Sequence, residues 1–491
     1  MLRKQMYING EWVPARSGAT VNIINPFDQS VIAEVPEGGR EDAQVAIAAA
    51  RDAFDNGPWP HLPAAERGEA VRRLADLIAR DREELARLES LDTGKTVEES
   101  RWDMDDIAGI FRYYAGLADK DEGEVIASPV PDTTSVVVRE PIGVCGQISP
   151  WNYPLLQAAW KLAPALAAGC TVIMKPSEIT PLTAVKCVEL CEEAGIPPGV
   201  VNLVLGPGSK VGAELSENLD VDLISFTGGI VTGKRIIQAA SSNVKKMALE
   251  LGGKNPNLVF DDCDFDLAVD YALNGVFFHA GQICSAGTRL MVQEGIHDRF
   301  VAALKERIDK IKLGNGFDEG TQMGPVISKE HLENVSNYVE IARGEGATVL
   351  CGGKRPDDPA LADGFFYEPT LIADCRHEMR IVQEEHFGPI ITVEKFSTEE
   401  EVVRLANDTV YGLSAGFWTR DPDRIHRVSK ALRFGTVWVN DFNVYFVQAP
   451  WGGYKQSGLG RELGKMGLEE YQEVKHIYQN HATQEIGWFG K

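Results

Sequence analysis

Gly143-Val144-Cys145-Gly146-Gln147-Ile148, then the Ala- and Leu-rich run 155–168, then Thr171-Val172-Ile173-Met174, reads as strand, helix and strand in direct succession. The two short apolar runs are of strand length, and the run between them is long enough to form a crossover helix. The rhythm continues with a helix over 182–194, a strand over 201–205, a helix near 211–216 and a strand over 223–226. Successive strand–helix–strand units build a parallel sheet with helices on its faces, and such sheets bind ligands at the carboxyl ends of their strands. The chain is therefore α/β, with a Rossmann-like parallel sheet at its centre.

Outward from this stretch, apolar residues recur at helical spacing over 41–55 and 64–88, and further helices are expected at 297–310, 331–345 and 398–406. Residues 118–140 read as short strands around Pro129 and Pro131, with Thr134-Ser135-Val136-Val137-Val138 the clearest, and 471–478 alternates enough to be another strand. At 491 residues the chain exceeds one ordinary core, so two large domains with a small appendage are expected.

A formal net charge of -23 argues against nucleic acid and anionic membranes as partners, because both would be repelled. The eight cysteines show no Cys-x-x-Cys pair and no framework of a small secreted domain, which fits reduced thiols in a cytoplasm. Cys187 and Cys191 share a helix face without accompanying histidines, so core packing is the better reading than zinc. The first ten residues turn polar before an apolar signal core develops, and Lys161, Pro164 and Gly169 interrupt the most apolar run before it reaches membrane length.

Chemistry is concentrated in glycine-bedded motifs. Cys284 lies in Gly281-Gln282-Ile283-Cys284-Ser285-Ala286-Gly287, and Glu250 in Glu250-Leu251-Gly252-Gly253-Lys254. A thiolate attacks carbonyl carbon and a carboxylate activates water, so the pair fits covalent catalysis followed by hydrolysis, although a lone Cys in an apolar stretch is more often core packing. Phe226-Thr227-Gly228-Gly229-Ile230-Val231-Thr232-Gly233 passes from strand to helix, where free N–H groups favour phosphate; a plain tight turn is the alternative. Lys175-Pro176-Ser177-Glu178 puts opposite charges at a strand end, and Pro150-Trp151-Asn152-Tyr153-Pro154 puts an amide donor in a constrained loop. Glu384-Glu385-His386-Phe387-Gly388-Pro389 and Pro450-Trp451-Gly452-Gly453-Tyr454-Lys455-Gln456-Ser457-Gly458 complete the series. Each alone has a bland loop explanation; their joint order does not.

With these motifs in this order, the chain resembles the NAD(P)-dependent aldehyde dehydrogenase superfamily over essentially its whole length, and most closely its bacterial betaine-aldehyde subgroup. The resemblance implies that Cys284 attacks the aldehyde, that Asn152 and the Cys284 N–H hold the oxyanion, and that Glu250 activates the water that hydrolyses the thioester. It links Lys161 and Glu462 to proton relay; on local sequence alone both read as structural. For the cofactor it implies contacts from Lys175 and Glu178 to the adenosine ribose, from Glu385 to the nicotinamide ribose and from Phe387 to the ring. The remaining walls would be Ser149, Trp151, Ser177, Phe226, Thr227, Gly228, Gly229, Thr232 and Leu251. A carboxylate near the ribose 2′ position accepts a hydroxyl hydrogen bond and repels a phosphate, so Glu178 favours NAD over NADP. The family often has Ser where this chain has Gly229, which implies weaker or more mobile cofactor binding here.

Tyr153, Trp160, Tyr445 and Trp451 fall on segments that the resemblance places around the aldehyde, where aromatic faces would attract a trimethylammonium group; ordinary apolar lining is the alternative. The resemblance also implies potassium held at Ile24 and Asp92, and a homotetramer or homodimer. The expected parts are an NAD-binding domain (1–117 and 141–253), an α/β catalytic domain (254–440) and a small β oligomerisation arm (118–140 and 470–491). Residues 441–469 would return to the cofactor domain and the aldehyde site. The expected reaction is oxidation of betaine aldehyde to glycine betaine in osmoprotectant synthesis from choline. An aminoaldehyde or broad aliphatic aldehyde dehydrogenase shares all these catalytic residues, a CoA-acylating enzyme is disfavoured by Glu250, and a non-catalytic NAD-binding or structural protein by the joint presence of Cys284, Glu250 and Asn152.

Overall fold

The structure, a computed structural model, describes residues 2–120 and 123–489; residues 121–122 of the segment 118–140 and residues 490–491 of the tail 470–491 lie outside them. An eight-stranded sheet runs in the order Gly458–Leu459, Lys246–Leu251, Leu223–Gly228, Val144–Ile148, Thr171–Lys175, Val201–Leu203, Met6–Ile8, Glu11–Val13. Its five middle strands, Lys246–Leu251 through Val201–Leu203, are parallel. They are buried along almost their whole length, which is why they read as apolar runs rather than as alternating ones.

The chain enters this core at Val144–Ile148, moves outward to Val201–Leu203, and returns across the sheet to Leu223–Gly228 and Lys246–Leu251. The strand order therefore reverses between Val144–Ile148 and Leu223–Gly228, and a crevice opens at their carboxyl ends. Residues 149–153 form one lip and Gly228 and Gly229 the other. The crossover helix Pro154–Ala168 is buried at every position, so it belongs to the core; among the described residues no helix is long and apolar enough to cross a membrane.

Only Gly252-Gly253-Lys254-Asn255 separates Lys246–Leu251 from Pro256–Val259, an inner strand of a second sheet. That sheet runs Thr348–Cys351, Thr370–Ala373, Ile390–Phe396, Arg289–Gln293, Pro256–Val259, Ser414–Trp418, Thr436–Val439, all parallel except its first edge strand. A third, antiparallel sheet joins Gln472–Asn480, Thr133–Pro141 and Glu124–Val125, and Gln472–Asn480 is exposed beyond its first residue.

Three local features depart from the sequence reading. The single helix expected over 64–88 is two, Ala64–Arg80 and Arg82–Thr93. Asp81 ends the first by donating its N–H to Leu77 O and opens the second by accepting at its carbonyl from Leu85, so no Gly or Pro marks the break. The helix Val97–Leu117 was not expected, although Thr96 and Glu99 form a reciprocal capping box at its start. The strands Met6–Ile8 and Glu11–Val13 also went unread; Asn9 and Gly10, at φ 51° and 84°, supply the left-handed pair that a two-residue hairpin turn requires.

Candidate active site

Glu250 stands at the carboxyl end of strand Lys246–Leu251, Asn152 follows the strand at the switch point, and Cys284 lies in the loop that feeds Arg289–Gln293 of the other sheet. All three line one cavity, together with Trp151, Thr227, Gly228, Gly229, Leu251, Glu385, Phe387 and Trp451. The Cys284 loop is pinned by amides on both sides. Asn152 Nδ2 donates to Gln282 O at 2.8 Å, and Gln282 Nε2 in turn donates to His279 O at 2.9 Å. Asn255 Nδ2 donates to Cys284 O at 2.8 Å and to Ala286 O at 3.1 Å. Gly281 is required at φ 74°, where a Cβ would fall 2.2 Å from Gly388 O. Asn255 and Gln282 were not singled out from sequence; each sits inside a quoted motif or next to one.

Burial, then the neighbouring Glu250 and Glu385, push the Cys284 thiol up to about 12. Burial, then Glu462, also raises the Glu250 carboxyl well above the ordinary carboxylate range. Each charged form is disfavoured by the absence of water and by like charge nearby. A Cβ on Gly452 would stand 2.9 Å from Glu250 Oε1, so glycine there leaves the carboxylate its room.

Lys161 and Glu462 form an ion pair with side chains 0% and 3% exposed. Lys161 Nζ also donates to Thr227 Oγ1 at 2.7 Å, and Thr227 Oγ1 donates to Gln157 Oε1 at 3.0 Å. Thr227 and Gln157 both line the cavity, so the pair reaches it through the single hydrogen bond from Lys161 to Thr227.

On the crevice side, Lys175 Nζ donates to Glu178 Oε2 at 3.1 Å. Burial lowers the Lys175 ammonium; Glu178 is lowered despite its burial, chiefly by Lys175. The Ser149 N–H donates to Lys175 O, and Ser177 is buried beside it in sequence. Gly228 lies over the Phe226 ring, where a Cβ would meet Cζ at 2.5 Å, whereas nothing stands within 4 Å of a Cβ on Gly229, the N-cap of helix Ile230–Ala240. Leu251 packs under Gly233 of that helix, and Thr232 is exposed on it. Glu385 is pushed up to about 7 by burial, against the pull of the Gly253 N–H and Lys254. Phe387 sits edge-on to Trp151 at 5.3 Å.

A second cavity, ≈ 320 Å³, also reaches Cys284 and shares Gln157 and Trp451 with the first. Trp160, Tyr445 and Trp451 form one ring cluster in its wall, with centroids 5.3, 5.9 and 6.4 Å apart. Tyr153 lines the same cavity but packs elsewhere: its ring meets His279 at 5.6 Å, and Lys95 Nζ lies 4.0 Å from its centroid. Sequence reasoning missed the acidic side of this cavity. Glu99, Trp102, Asp103 and Asp106 project from helix Val97–Leu117 at a spacing that puts them on one face, and Tyr445 donates its hydroxyl to Asp106 Oδ2 at 2.7 Å. The signal was present as Glu99-x-x-Trp102-Asp103-x-x-Asp106, once the helix was recognised.

Asp92 is fully buried. Its Oδ2 accepts from the Leu182 N–H at 3.1 Å and its Oδ1 has no partner among the described residues. Gly94, two residues on, packs against Pro26, two residues beyond Ile24, which ends strand Thr20–Ile24. Among the described residues no group of three or more His, Cys, Asp or Glu could hold a metal, so any cation here would depend on carbonyl oxygens beside the orphaned Asp92 oxygen.

A family model described as "Aldehyde dehydrogenase family" matches residues 12–477. The chain is 64% identical over 488 residues to betaine aldehyde dehydrogenase of Bacillus subtilis (strain 168), covering 99% of this chain and 100% of that one. It is 46% identical over 492 residues to a peroxisomal aminoaldehyde dehydrogenase of Pisum sativum, covering 99% and 97%. A crystal structure of Staphylococcus aureus betaine aldehyde dehydrogenase in complex with NAD+ superimposes with a TM-score of 0.99 at 59% identity, covering 100% of this chain and 97% of that one. With a pinned cysteine loop, a buried glutamate and a switch-point crevice meeting at one point, and with the match running nearly end to end, the chain belongs to the aldehyde dehydrogenase family.

Proposed function

We propose that the protein oxidises betaine aldehyde to glycine betaine with NAD, in osmoprotectant synthesis from choline in the cytoplasm. The observation that carries this is the placement of Cys284 between two cavities, one bounded by the glycine lip of a dinucleotide crevice and the other by three clustered aromatic rings and a face of carboxylates. Aromatic faces and carboxylates attract a quaternary ammonium, which needs no hydrogen-bond acceptor.

In this reading the Cys284 thiol gives its proton to the Glu250 carboxylate, which passes it on to solvent, and the sulfur bonds to the aldehyde carbon. The second N–H of Asn152 Nδ2, with the Cys284 N–H, stabilises the oxygen as it becomes an oxyanion. The tetrahedral carbon gives up hydride and becomes a thioester. NAD, when bound, supplies the hydride acceptor; Trp151, Ser149, Ser177, Phe226, Thr227, Gly228, Gly229, Thr232, Leu251 and Phe387 would border it, while Glu385 and the pair Lys175 and Glu178 would hold its two riboses. Glu250 then takes a proton from water as it attacks the thioester, and the C–S bond breaks to release the carboxylic acid and return the Cys284 sulfur as thiolate. Lys161 and Glu462 would pass that proton away from the cavity.

Asp92, with backbone carbonyls that include Ile24, would hold potassium and so supply the buried carboxylate with a counter-charge. Val474, Ile477 and Tyr478 on the exposed edge strand Gln472–Asn480 would be covered by a second copy in a homodimer or homotetramer. An aminoaldehyde dehydrogenase is the second reading, favoured by the carboxylates of Glu99, Asp103 and Asp106, which suit any cationic aldehyde. Initial rates of NADH formation with betaine aldehyde, 4-aminobutanal and propanal at matched concentrations test the assignment. A large kcat/KM preference for betaine aldehyde supports it; equal or better turnover of the others rejects it and leaves the dehydrogenase chemistry intact.

A further inference from the structure

His279 is 2% exposed in the wall of the aldehyde-side cavity, and among the described residues neither ring nitrogen has a hydrogen-bond partner of good geometry. Buried polar groups are nearly always paired, because an unpaired one has given up its hydration for nothing. The backbone is held in an unfavourable region as well. His279 and Ala280 are successive non-glycine residues at φ 45° and 51°, and the arrangement is fixed by Glu99 Oε1, which accepts from the His279 N–H at 2.7 Å, and by Gln282 Nε2 on its carbonyl. The outcome is an imidazole set edge-on to Tyr153, in the same wall as Glu99, Asp103 and Asp106.

Burial, then the Lys95 ammonium, keep the His279 ring well below its ordinary pKa, so it is neutral. One nitrogen carries hydrogen and the other a lone pair. Neither is matched by a hydrogen bond of good geometry among the described residues, so in either tautomer a lone pair is left without a partner. Lys95 does not supply a donor to it: its ammonium donates to Asp103 Oδ2 at 2.6 Å and lies 3.7 Å from Glu89 Oε1.

A quaternary ammonium has no N–H to donate, whereas a primary ammonium has three. We propose that His279 is a specificity-determining residue, accepting a hydrogen bond from the protonated amine of ω-aminoaldehydes, so that the cavity takes primary amines through an imidazole and trimethylammonium through its aromatic wall. This rests on the reading that the protein oxidises cationic aldehydes.

The test is kcat/KM with NAD for 3-aminopropanal, betaine aldehyde and propanal in the unaltered protein, in His279→Gly and in His279→Asn. Glycine and asparagine both tolerate the left-handed backbone, but only asparagine keeps an acceptor. In His279→Gly the ratio of 3-aminopropanal to propanal should fall roughly tenfold while the ratio of betaine aldehyde to propanal stays within about twofold, as loss of one hydrogen bond to a charged donor requires. His279→Asn should restore part of the first ratio. Parallel losses on all three aldehydes, or an unchanged first ratio, overturn the proposal. Betaine aldehyde no better than propanal in the unaltered protein would instead sink the trimethylammonium reading, and 3-aminopropanal against propanal would still report on His279.

Discussion

Glu385 occupies the space that a side chain on Gly252 would need: a Cβ there falls 1.9 Å from Glu385 Oε2, while Glu385 Oε1 accepts from the Gly253 N–H at 3.0 Å. The glycine pair that joins the two sheets thus also seats the carboxylate proposed to hold the nicotinamide ribose. Gly252→Ala must push Glu385 out. A displacement of about 1 Å at a positioning group costs on the order of 100-fold in rate. NADH formation by Gly252→Ala should fall by that order with the far-UV circular dichroism unchanged; near-normal kcat/KM would show that Glu385 does not position the cofactor.

Gly229 presents the opposite case, because nothing lies within 4 Å of an added Cβ and its φ of -76° suits any residue. Gly229→Ser should be accommodated and should add a hydroxyl donor at the phosphate lip, tightening the Kd for NAD by roughly threefold to tenfold, the worth of one ordinary hydrogen bond. Isothermal titration of the two proteins checks this, and an unchanged Kd removes Gly229 as a cause of loose binding.

The Cys284 thiol, pushed up to about 12 by burial, then Glu250 and Glu385, should be protonated in the cofactor-free protein at neutral pH. Alkylation follows the thiolate fraction, so the rate constant with iodoacetamide should rise about tenfold per pH unit through the range where an ordinary thiol near pH 8.5 has already levelled off. A plateau at or below pH 8.5 contradicts this environment for Cys284.

Lys161 and Glu462 are paired out of reach of water, so removing one partner leaves the other charge uncompensated. Lys161→Met should cost about 3–5 kcal/mol in urea unfolding at fixed protein concentration, and Lys161→Met with Glu462→Leu should recover most of it. If the single and double variants unfold alike, the cost arises from lost packing around Lys161 rather than from its charge.

How far this site could be read in the sequence depended on where each residue lies. Cys284, Glu250 and Asn152 were legible because each occupies a short loop or strand end whose glycines and prolines mark it as special. Their mutual placement was not, because Cys284 lies in the loop before Arg289–Gln293 of the second sheet, and only the packing of the two sheets brings it to the cavity that Asn152 and Glu250 line. The acidic face of the aldehyde cavity was not legible, because Glu99, Asp103 and Asp106 sit on a helix whose charged residues look like any solvated stripe until the packing partner is known. His279 carried no signal at all: its unpaired nitrogens result from a left-handed backbone that nothing in Phe278-His279-Ala280 announces.

The aromatic wall can be separated from plain apolar lining by its response to charge. Trp160 makes the two shorter contacts of the cluster, at 5.3 Å to Tyr445 and 5.9 Å to Trp451, against 6.4 Å between those two. Tyr445 is fixed independently by its hydrogen bond to Asp106, and Trp451 by its backbone pairing with Glu462. Trp160→Leu therefore removes one ring face while the other two keep their anchors, and leucine retains much of the apolar area. A cation–π contact in a desolvated site contributes about 2 kcal/mol, which is roughly a 30-fold change in KM, whereas a neutral aldehyde loses only contact area. The KM for betaine aldehyde should rise by about that factor and the KM for propanal by less than about threefold, with kcat for both little changed because Cys284, Asn152 and Glu250 lie on other elements. Steady-state kinetics with both aldehydes decides it: parallel increases would make the wall a generic lining, and the preference for a quaternary ammonium would then have to come from the carboxylates of helix Val97–Leu117 alone.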